Sequence, residues 1–247
     1  MPYNYSQTVS GKDGFFMNST TGKIKERVEA IQLAIDEAAK KNGRSAKDIT
    51  LVAVTKGATP EAILEARAAG VMFFGENKVQ EAETKIAVVN DPSVQWHMVG
   101  HLQTNKIKTA LSLFSLIQSV DSVRLAKMIS DESILNNKVT AVLLEVNISG
   151  EVQRFGFSAE EIYTAIESMS EMPGIRIMGL MGIAPVKVAP EVVRAAFKKL
   201  RNIFSVCKGV KQDNLEMKYL SMGMSDDYKI AIEEGANMIR LGRALFK

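Results

Sequence analysis

The stretch LVAVTKGAT, residues 51–59, decides how the chain is read. Leu51, Val52, Ala53 and Val54 form an unbroken apolar run of the kind a strand shows when both of its faces are covered. Thr59-Pro60-Glu61 then reads as a helix start. It offers a hydroxyl cap, a proline where its missing N–H is harmless, and a carboxylate near the positive end of the helix dipole. Lys56 falls between the two, at the carboxyl end of a buried strand. In open α/β sheets and α/β barrels, that is the end where ligands bind. Such a lysine has two readings. It is a solvated side chain whose stem covers the strand end, or an amine partly withdrawn from water, its pKa lowered enough to condense with an aldehyde. The flanking residues leave both open.

Before this strand, Ile24, Val28, Ile31 and Ile35 recur at spacings of four, three and four. That predicts an amphipathic helix capped by Thr20 or Thr21 and closed at Asn42-Gly43, lying over one end or flank of the later elements. After it, strands and helices alternate. Apolar runs predict strands at Leu51–Val54, Val71–Phe74, Val94–Val99, from Leu116-Ile117, then Val139–Val146, Ile175–Leu180, Met217–Leu220 and Ala236–Ile239. Helices fall between them. One begins at Pro60, one reaches Val89, one is capped by Asp121, one opens with the box Ser158–Glu161, one spans Pro190–Cys207, and one starts at Ser225-Asp226-Asp227. About eight strands in 247 residues is the signature of an α/β protein built as a single (β/α)8 TIM-type barrel with an extra N-terminal helix. A doubly wound open sheet is the alternative, since alternation does not prove closure. No linker divides the later region, so residues 21–247 read as one domain and residues 1–20 as a flexible arm.

Composition removes several function classes. Hydrophobic residues at 46% and charged residues at 24% are ordinary globular values. A formal charge of +3 does not mark a nucleic-acid binder, and Lys198, Lys199, Arg201, Lys208 and Lys211 read as the solvated side of one helical segment. An RNA role through Lys106 and Lys108 is therefore not expected. The single cysteine, Cys207, excludes an intrachain disulfide, and its place beside Phe197, Leu200 and Phe204 makes it helix packing. His97 and His101 are too few for a histidine zinc site, so no metal is expected. No apolar run reaches membrane-spanning length, and the first twenty residues lack a signal-peptide core. The expectation is a cytoplasmic protein.

In barrels of this kind the loops after strands seven and eight often build a phosphate site. Ser221-Met222-Gly223-Met224-Ser225 follows strand seven and offers hydroxyls, a glycine and helix-start amides; Arg240-Leu241-Gly242-Arg243-Ala244 follows strand eight and repeats the arrangement. Glycines are also ordinary turn punctuation. An aldehyde-seeking lysine and a phosphate cradle at one mouth suggest pyridoxal 5′-phosphate, with a Schiff-base lyase acting on a phosphosugar as the competitor. Arg240 distinguishes them. A guanidinium only donates, so a pyridine nitrogen set against it stays unprotonated and the ring is a weaker electron sink.

These residues lie in LVAVTKGATPEAI, FGENKVQEA, WHMVGHLQTNK, IQSVDS, LLEVNISGEVQRFGF, GLMGIAP, LSMGMSDD and IRLGRALF, which run from residue 51 to residue 246. In these motifs the chain resembles the pyridoxal phosphate homeostasis proteins, also called YggS-type or proline synthetase co-transcribed (PROSC) proteins, which share their barrel with the amino-terminal domain of alanine racemase. The resemblance implies that Lys56 holds the cofactor as an internal aldimine (a Schiff base), and that Ser221, Gly223 and Ser225, with the backbone around Gly242 and Arg243, hold its phosphate. It implies that Arg240 faces the pyridine nitrogen, that Asn77 and Asn147 lie near the ring, and that Met224 belongs to the phosphate loop. Three positions depart from relatives. Ala58 stands where many have a second lysine, Arg243 where many have threonine, and Met181 where racemases place a histidine against the ring.

Racemases of this type draw a second base, a tyrosine, from a carboxyl-terminal β domain. The chain ends at Lys247, directly after the eighth strand, so no such domain is expected, nor the dimer contact it makes. Inversion from one face alone is inefficient. The expected function is therefore cofactor holding in intracellular vitamin B6 homeostasis, by a monomer, with no catalytic residue and with pyridoxal-phosphate-dependent apoenzymes as recipients. A weak amino-acid racemase and the phosphosugar lyase are the alternatives.

Overall fold

The computed structural model describes residues 22–151 and 153–247. The cap expected at Thr20 or Thr21 and the arm over residues 1–20 lie outside them. Eight strands follow one another, β1 (Thr50–Val54), β2 (Phe73–Glu76), β3 (Gln95–Met98), β4 (Leu116–Val120), β5 (Thr140–Val146), β6 (Ile175–Gly182), β7 (Leu215–Ser221) and β8 (Met238–Leu241). Each pairs in parallel with the next, and β8 returns to β1 with Ile239 opposite Leu51, which closes the barrel. Closure removes the open-sheet alternative. The helices are α1 (Lys23–Lys40), α2 (Pro60–Ala68), α3 (Val79–Val89), α4 (Ile107–Leu113), α5 (Val123–Leu135), α6 (Glu161–Met169), α7 (Pro190–Cys207), α8 (Tyr228–Glu233) and α9 (Arg243–Phe246).

Alternation along each strand splits the core in two. Val52, Leu116, Leu143, Met181 and Met238 point inward and fill the barrel axis. Their neighbours Ala53, Ile117, Leu144, Leu180 and Ile239 point outward into a larger core shared with Ile63, Ile129, Ile162, Phe197 and Leu200 of the helices. Each of the larger side chains among these, fully buried, contributes roughly 1.5–3 kcal/mol. On β6 the pairing with β7 slips between Ile177 and Gly179, and there a Cβ on Gly179 (φ +143°) would sit 1.9 Å from the Tyr219 carbonyl oxygen. Only glycine permits that approach.

Helix α1 buries Ile24, Val28, Ile31 and Ile35, the four residues whose spacing predicts it. It packs on α2, α8 and α9. Because α8 has only six residues and α9 four, the flank beside β8 would otherwise be thinly covered. The Arg27 guanidinium donates to the carbonyls of Leu245 (3.3 Å) and Lys247 (2.9 Å), which ties α9 to α1.

Several boundaries differ from the sequence reading. The Val71 N–H closes α2 on Ala66 (3.1 Å), so β2 starts two residues later and runs on through Gly75 and Glu76, which pair with His97 and Met98. Likewise the Ala236 N–H closes α8 on Ala231 (2.9 Å), so β8 is Met238–Leu241 and Arg240 projects from a strand rather than from a loop. Strand β7 includes Ser221. Asp121 does not cap α5. The Ser122 hydroxyl accepts from the Leu125 N–H (3.3 Å), and Asp121 instead pairs with His101 Nδ1 at 3.1 Å. The box at α6 is present, with the Ser158 N–H on Glu161 and the Glu161 N–H on Ser158, both at 3.1 Å.

Candidate functional site

A cavity of about 440 Å³ opens at the carboxyl end of the barrel. Its wall includes Lys56 and Asn77 beyond β1 and β2, Met224 and Ser225 beyond β7, and Arg240, Gly242 and Arg243 at the end of β8, with apolar cover from Val54, Val99, Ile183 and Phe246. Lys56 is exposed, not withdrawn from water as the sharper sequence reading has it. Gly57 and Ala58, which follow it, carry too little side chain to cover its stem.

Directly beneath Lys56 lies a buried polar cluster. The Thr55 hydroxyl donates to the Glu76 carboxylate (2.7 Å), the Lys85 amine of α3 donates to the same carboxylate and to the Thr55 carbonyl (2.7 Å), and the Asn77 N–H donates to the other Glu76 oxygen (2.9 Å). Glu76 is fully buried. The cluster fixes the ends of β1 and β2, and with them the backbone of Lys56 and Asn77.

Across the cavity, Gly223 has φ +95°, and a Cβ there would lie 2.5 Å from the Ala231 Cβ, so only glycine lets the loop after β7 press onto α8. The Gly223 carbonyl accepts from the Arg240 N–H (3.0 Å), and the Ser225 hydroxyl accepts from the Ala244 N–H (3.1 Å). The loops after β7 and β8 are thereby joined into one wall.

Arg240 is almost fully buried at the head of the barrel axis. Its guanidinium donates to the Ser221 hydroxyl (2.6 Å) and to the Gly182 carbonyl (3.0 Å). Burial pushes its pKa down to about 10, against the opposing pull of Glu145 and Asp227, and it stays charged at neutral pH. Burial lifts Glu145 of β5 to about 7, with the Asp121 charge adding and Arg240 and Arg154 opposing. Below Arg240, the Ser221 hydroxyl donates to Gln118 Oε1 (2.7 Å), and Gln118 Nε2 lies 3.0 Å from His97 Nδ1. Burial holds His97 down at about 4, so its ring is neutral.

A family model described as "Alanine racemase, N-terminal domain" matches residues 32–247. The chain is 38% identical over 221 residues to the pyridoxal phosphate homeostasis protein of Aquifex aeolicus, covering 90% of this chain and 96% of that one. Among solved structures it is similar to PipY of Synechococcus elongatus without PLP, with a TM-score of 0.81, 32% identity, and coverage of 91% of this chain and 100% of that one. The PLP-bound structure of PipY gives 0.78 and 31%, with the same coverage. The chain belongs to the alanine racemase N-terminal domain family, among the pyridoxal phosphate homeostasis proteins.

In this family member the cavity wall brings together Lys56, Asn77, Met224, Ser225, Arg240, Gly242 and Arg243, as the sequence reading groups them. Ser221 and Gly223 stand behind that wall, bonded to Arg240 through side chain and backbone. Asn147, directly after β5, is not part of that wall. Its amide donates to the carbonyls of Glu151 (2.8 Å) and Arg154 (3.3 Å) and accepts from Ser149, so it pins the loop after β5. Met181 is fully buried in the inner core rather than on the cavity. Arg243 pairs with Asp226, and both side chains are exposed.

The sequence reading missed Gln118 and His97, and the trio Thr55, Glu76 and Lys85. One signal was present. His97 stands between Trp96 and Met98, and Gln118 follows Leu116 and Ile117, and a polar side chain buried on such a strand must find a partner. No membrane-crossing helix occurs among the described residues.

Proposed function

We propose that this chain binds pyridoxal 5′-phosphate, holds it covalently through Lys56 and serves intracellular vitamin B6 homeostasis without substantial turnover. The observation that carries this reading is the convergence of Lys56, Ser225, Arg240 and Arg243 on one cavity. When bound, pyridoxal 5′-phosphate supplies an aldehyde that condenses with an amine, one water leaving. The donor set suits it. Lys56 offers the amine; Ser225, Arg243 and the backbone around Gly242 would offer donors to an anionic tail, and Val54, Val99 and Ile183 would flank a flat ring. Arg240 can only donate, and an acceptor nitrogen against it remains unprotonated. Asn77 lines the same cavity with its backbone N–H held by Glu76, and it would lie near the ring. The cavity falls within the roughly 300–1,000 Å³ of small-molecule sites.

Low turnover follows from the chain's own groups. A donor-only partner at the ring leaves carbanion chemistry handicapped, and much of the remaining wall is apolar. On this reading the protein acts as a cytoplasmic monomer whose recipients are pyridoxal-phosphate-dependent apoenzymes, with residues 21–247 as the binding unit.

The test is direct. Mixed with pyridoxal 5′-phosphate, the protein should turn yellow. Borohydride should abolish the visible band, and mass spectrometry should place the pyridoxyl group on Lys56. Lys56→Ala should stay colourless. A colourless wild type, or a label scattered over surface lysines, sinks the reading. Sustained exchange of an amino acid's α-proton in heavy water would overturn the claim of low turnover.

A further inference from the structure

The inner face of the barrel changes character with height. Low on the axis it is filled by Val52, Leu116, Leu143 and Met238. Higher up, β3, β4, β7 and β8 each contribute one polar side chain, His97, Gln118, Ser221 and Arg240, all buried. They form a single hydrogen-bonded line, and its direction is forced. Gln118 Nε2 lies 3.0 Å from His97 Nδ1 and 3.2 Å from the Met238 sulfur. A thioether can only accept, so the amide NH2 faces the sulfur and the ring nitrogen, and the amide oxygen faces Ser221. The Ser221 proton is then committed to Gln118 (2.7 Å), which leaves its oxygen lone pairs for Arg240 (2.6 Å). His97 must accept at Nδ1 and carry its proton on Nε2.

Resting on the reading of the cavity as a pyridoxal phosphate site, we propose that Gln118 and His97 are positioning residues that orient Arg240 from inside the barrel and so fix how the cofactor ring is held. Neither lines the cavity. Each acts through the next. His97 sets the Gln118 amide, Gln118 sets the Ser221 hydroxyl, and Ser221 with the Gly182 carbonyl sets the guanidinium plane. A guanidinium has five N–H donors in a rigid fork, so fixing two nitrogens fixes where the others point. The charged groups facing Arg240 are Glu145 of β5 and Asp227 before α8. Neither is hydrogen-bonded to it among the described residues, which leaves the line as its directional hold.

The experiment loads wild type, Gln118→Leu, His97→Leu and His97→Gln with pyridoxal 5′-phosphate, with Ile162→Ala in the outer core as a destabilised control. Melting temperature, the visible band and its pH profile, and the rate of cofactor loss are recorded. Gln118→Leu and His97→Leu should shift the band and its pH profile and speed release at least ten-fold. His97→Gln, whose amide oxygen can accept in place of Nδ1, should return toward wild type. Ile162→Ala should melt earlier with an unchanged band. If the two leucine variants only melt earlier, keeping the wild-type band, pH profile and release rate, the positioning role is overturned. It is equally overturned if His97→Gln behaves as His97→Leu does. Should Gln118→Leu fail to fold, the two His97 variants decide alone. A colourless wild type would sink the binding reading and this proposal with it, whereas a yellow wild type with unresponsive variants sinks only the positioning role.

Discussion

Two buried polar groups of similar size flank the cavity, one outside the barrel wall and one inside it. Outside, Thr55, Glu76 and Lys85 pair a carboxylate with an ammonium and hydrogen-bond both, with the strand ends of β1 and β2 as remaining partners. Inside, Arg240, Ser221, Gln118 and His97 run as a line with a cation at one end and a neutral ring at the other. The outer group is electrically complete and makes no demand on a ligand. The inner one leaves the guanidinium at the cavity surface without a hydrogen-bonded carboxylate among the described residues. A closed group holds the backbone; an open one holds something that arrives. The predicted effects should divide accordingly, between stability and binding.

The largest effect expected is on the closed group. Glu76→Ala takes the hydrogen-bonded carboxylate from the buried Lys85 amine, leaving it the Thr55 carbonyl and the more distant Glu81 carboxylate at 3.9 Å, and breaking a buried pair in this way costs about 3–5 kcal/mol. Denaturant unfolding should show that loss. A midpoint that does not move would break the contrast between the two groups.

Next comes the neutral end of the line. His97 titrates at about 4 when folded against 6.5 unpaired. The unfolded chain therefore binds the extra proton between those values, and stability falls as pH drops from 6.5 to 4, by about 3 kcal/mol at most. His97→Gln should remove that slope in unfolding curves taken across the window.

Glu145 has the opposite sign. Its carboxyl is raised to about 7 from 4.5, so the folded chain holds the extra proton and stability falls as pH rises from 4.5 to 7. Glu145→Gln should be more stable than wild type at pH 8 by about 3 kcal/mol at most, with little difference at pH 4.5. The two windows overlap between pH 4.5 and 6.5. Wild type should therefore show a flatter profile there than either variant. The smallest effect is at the rim. Arg243 pairs with Asp226 in the open, and Arg243→Thr should change stability by about 0–1 kcal/mol.

The barrel was legible because its strands are short apolar runs separated by strong helix starts, as at Val54 and Thr59-Pro60. Their upper ends were not. β2, β7 and β8 outlast their hydrophobic pattern because they end on buried polar residues, Glu76 on the outer face of β2 and Ser221 and Arg240 on the inner faces of β7 and β8. Lys56, Ser225, Arg240 and Arg243 were legible as residues at strand ends, and the cavity gathers them. Lys85 was not. It stands four residues after Glu81 on α3, which reads as a solvated helix pair, and only the packing of α3 against β2 turns it inward to Glu76. Asn147 was legible as a residue past β5, but the destination of its amide depends on how the next seven residues fold back.

The seam between β1 and β8, with Arg27 of α1 gripping the carbonyls of Leu245 and Lys247, bears on how the molecule is made. The opening strand waits for a partner nearly two hundred residues downstream, and contacts that distant form late and slowly. During synthesis Lys56 would emerge early but face no finished wall until β8 and the turn after it are out. A newborn chain on this plan cannot capture its cargo before β8 has been made.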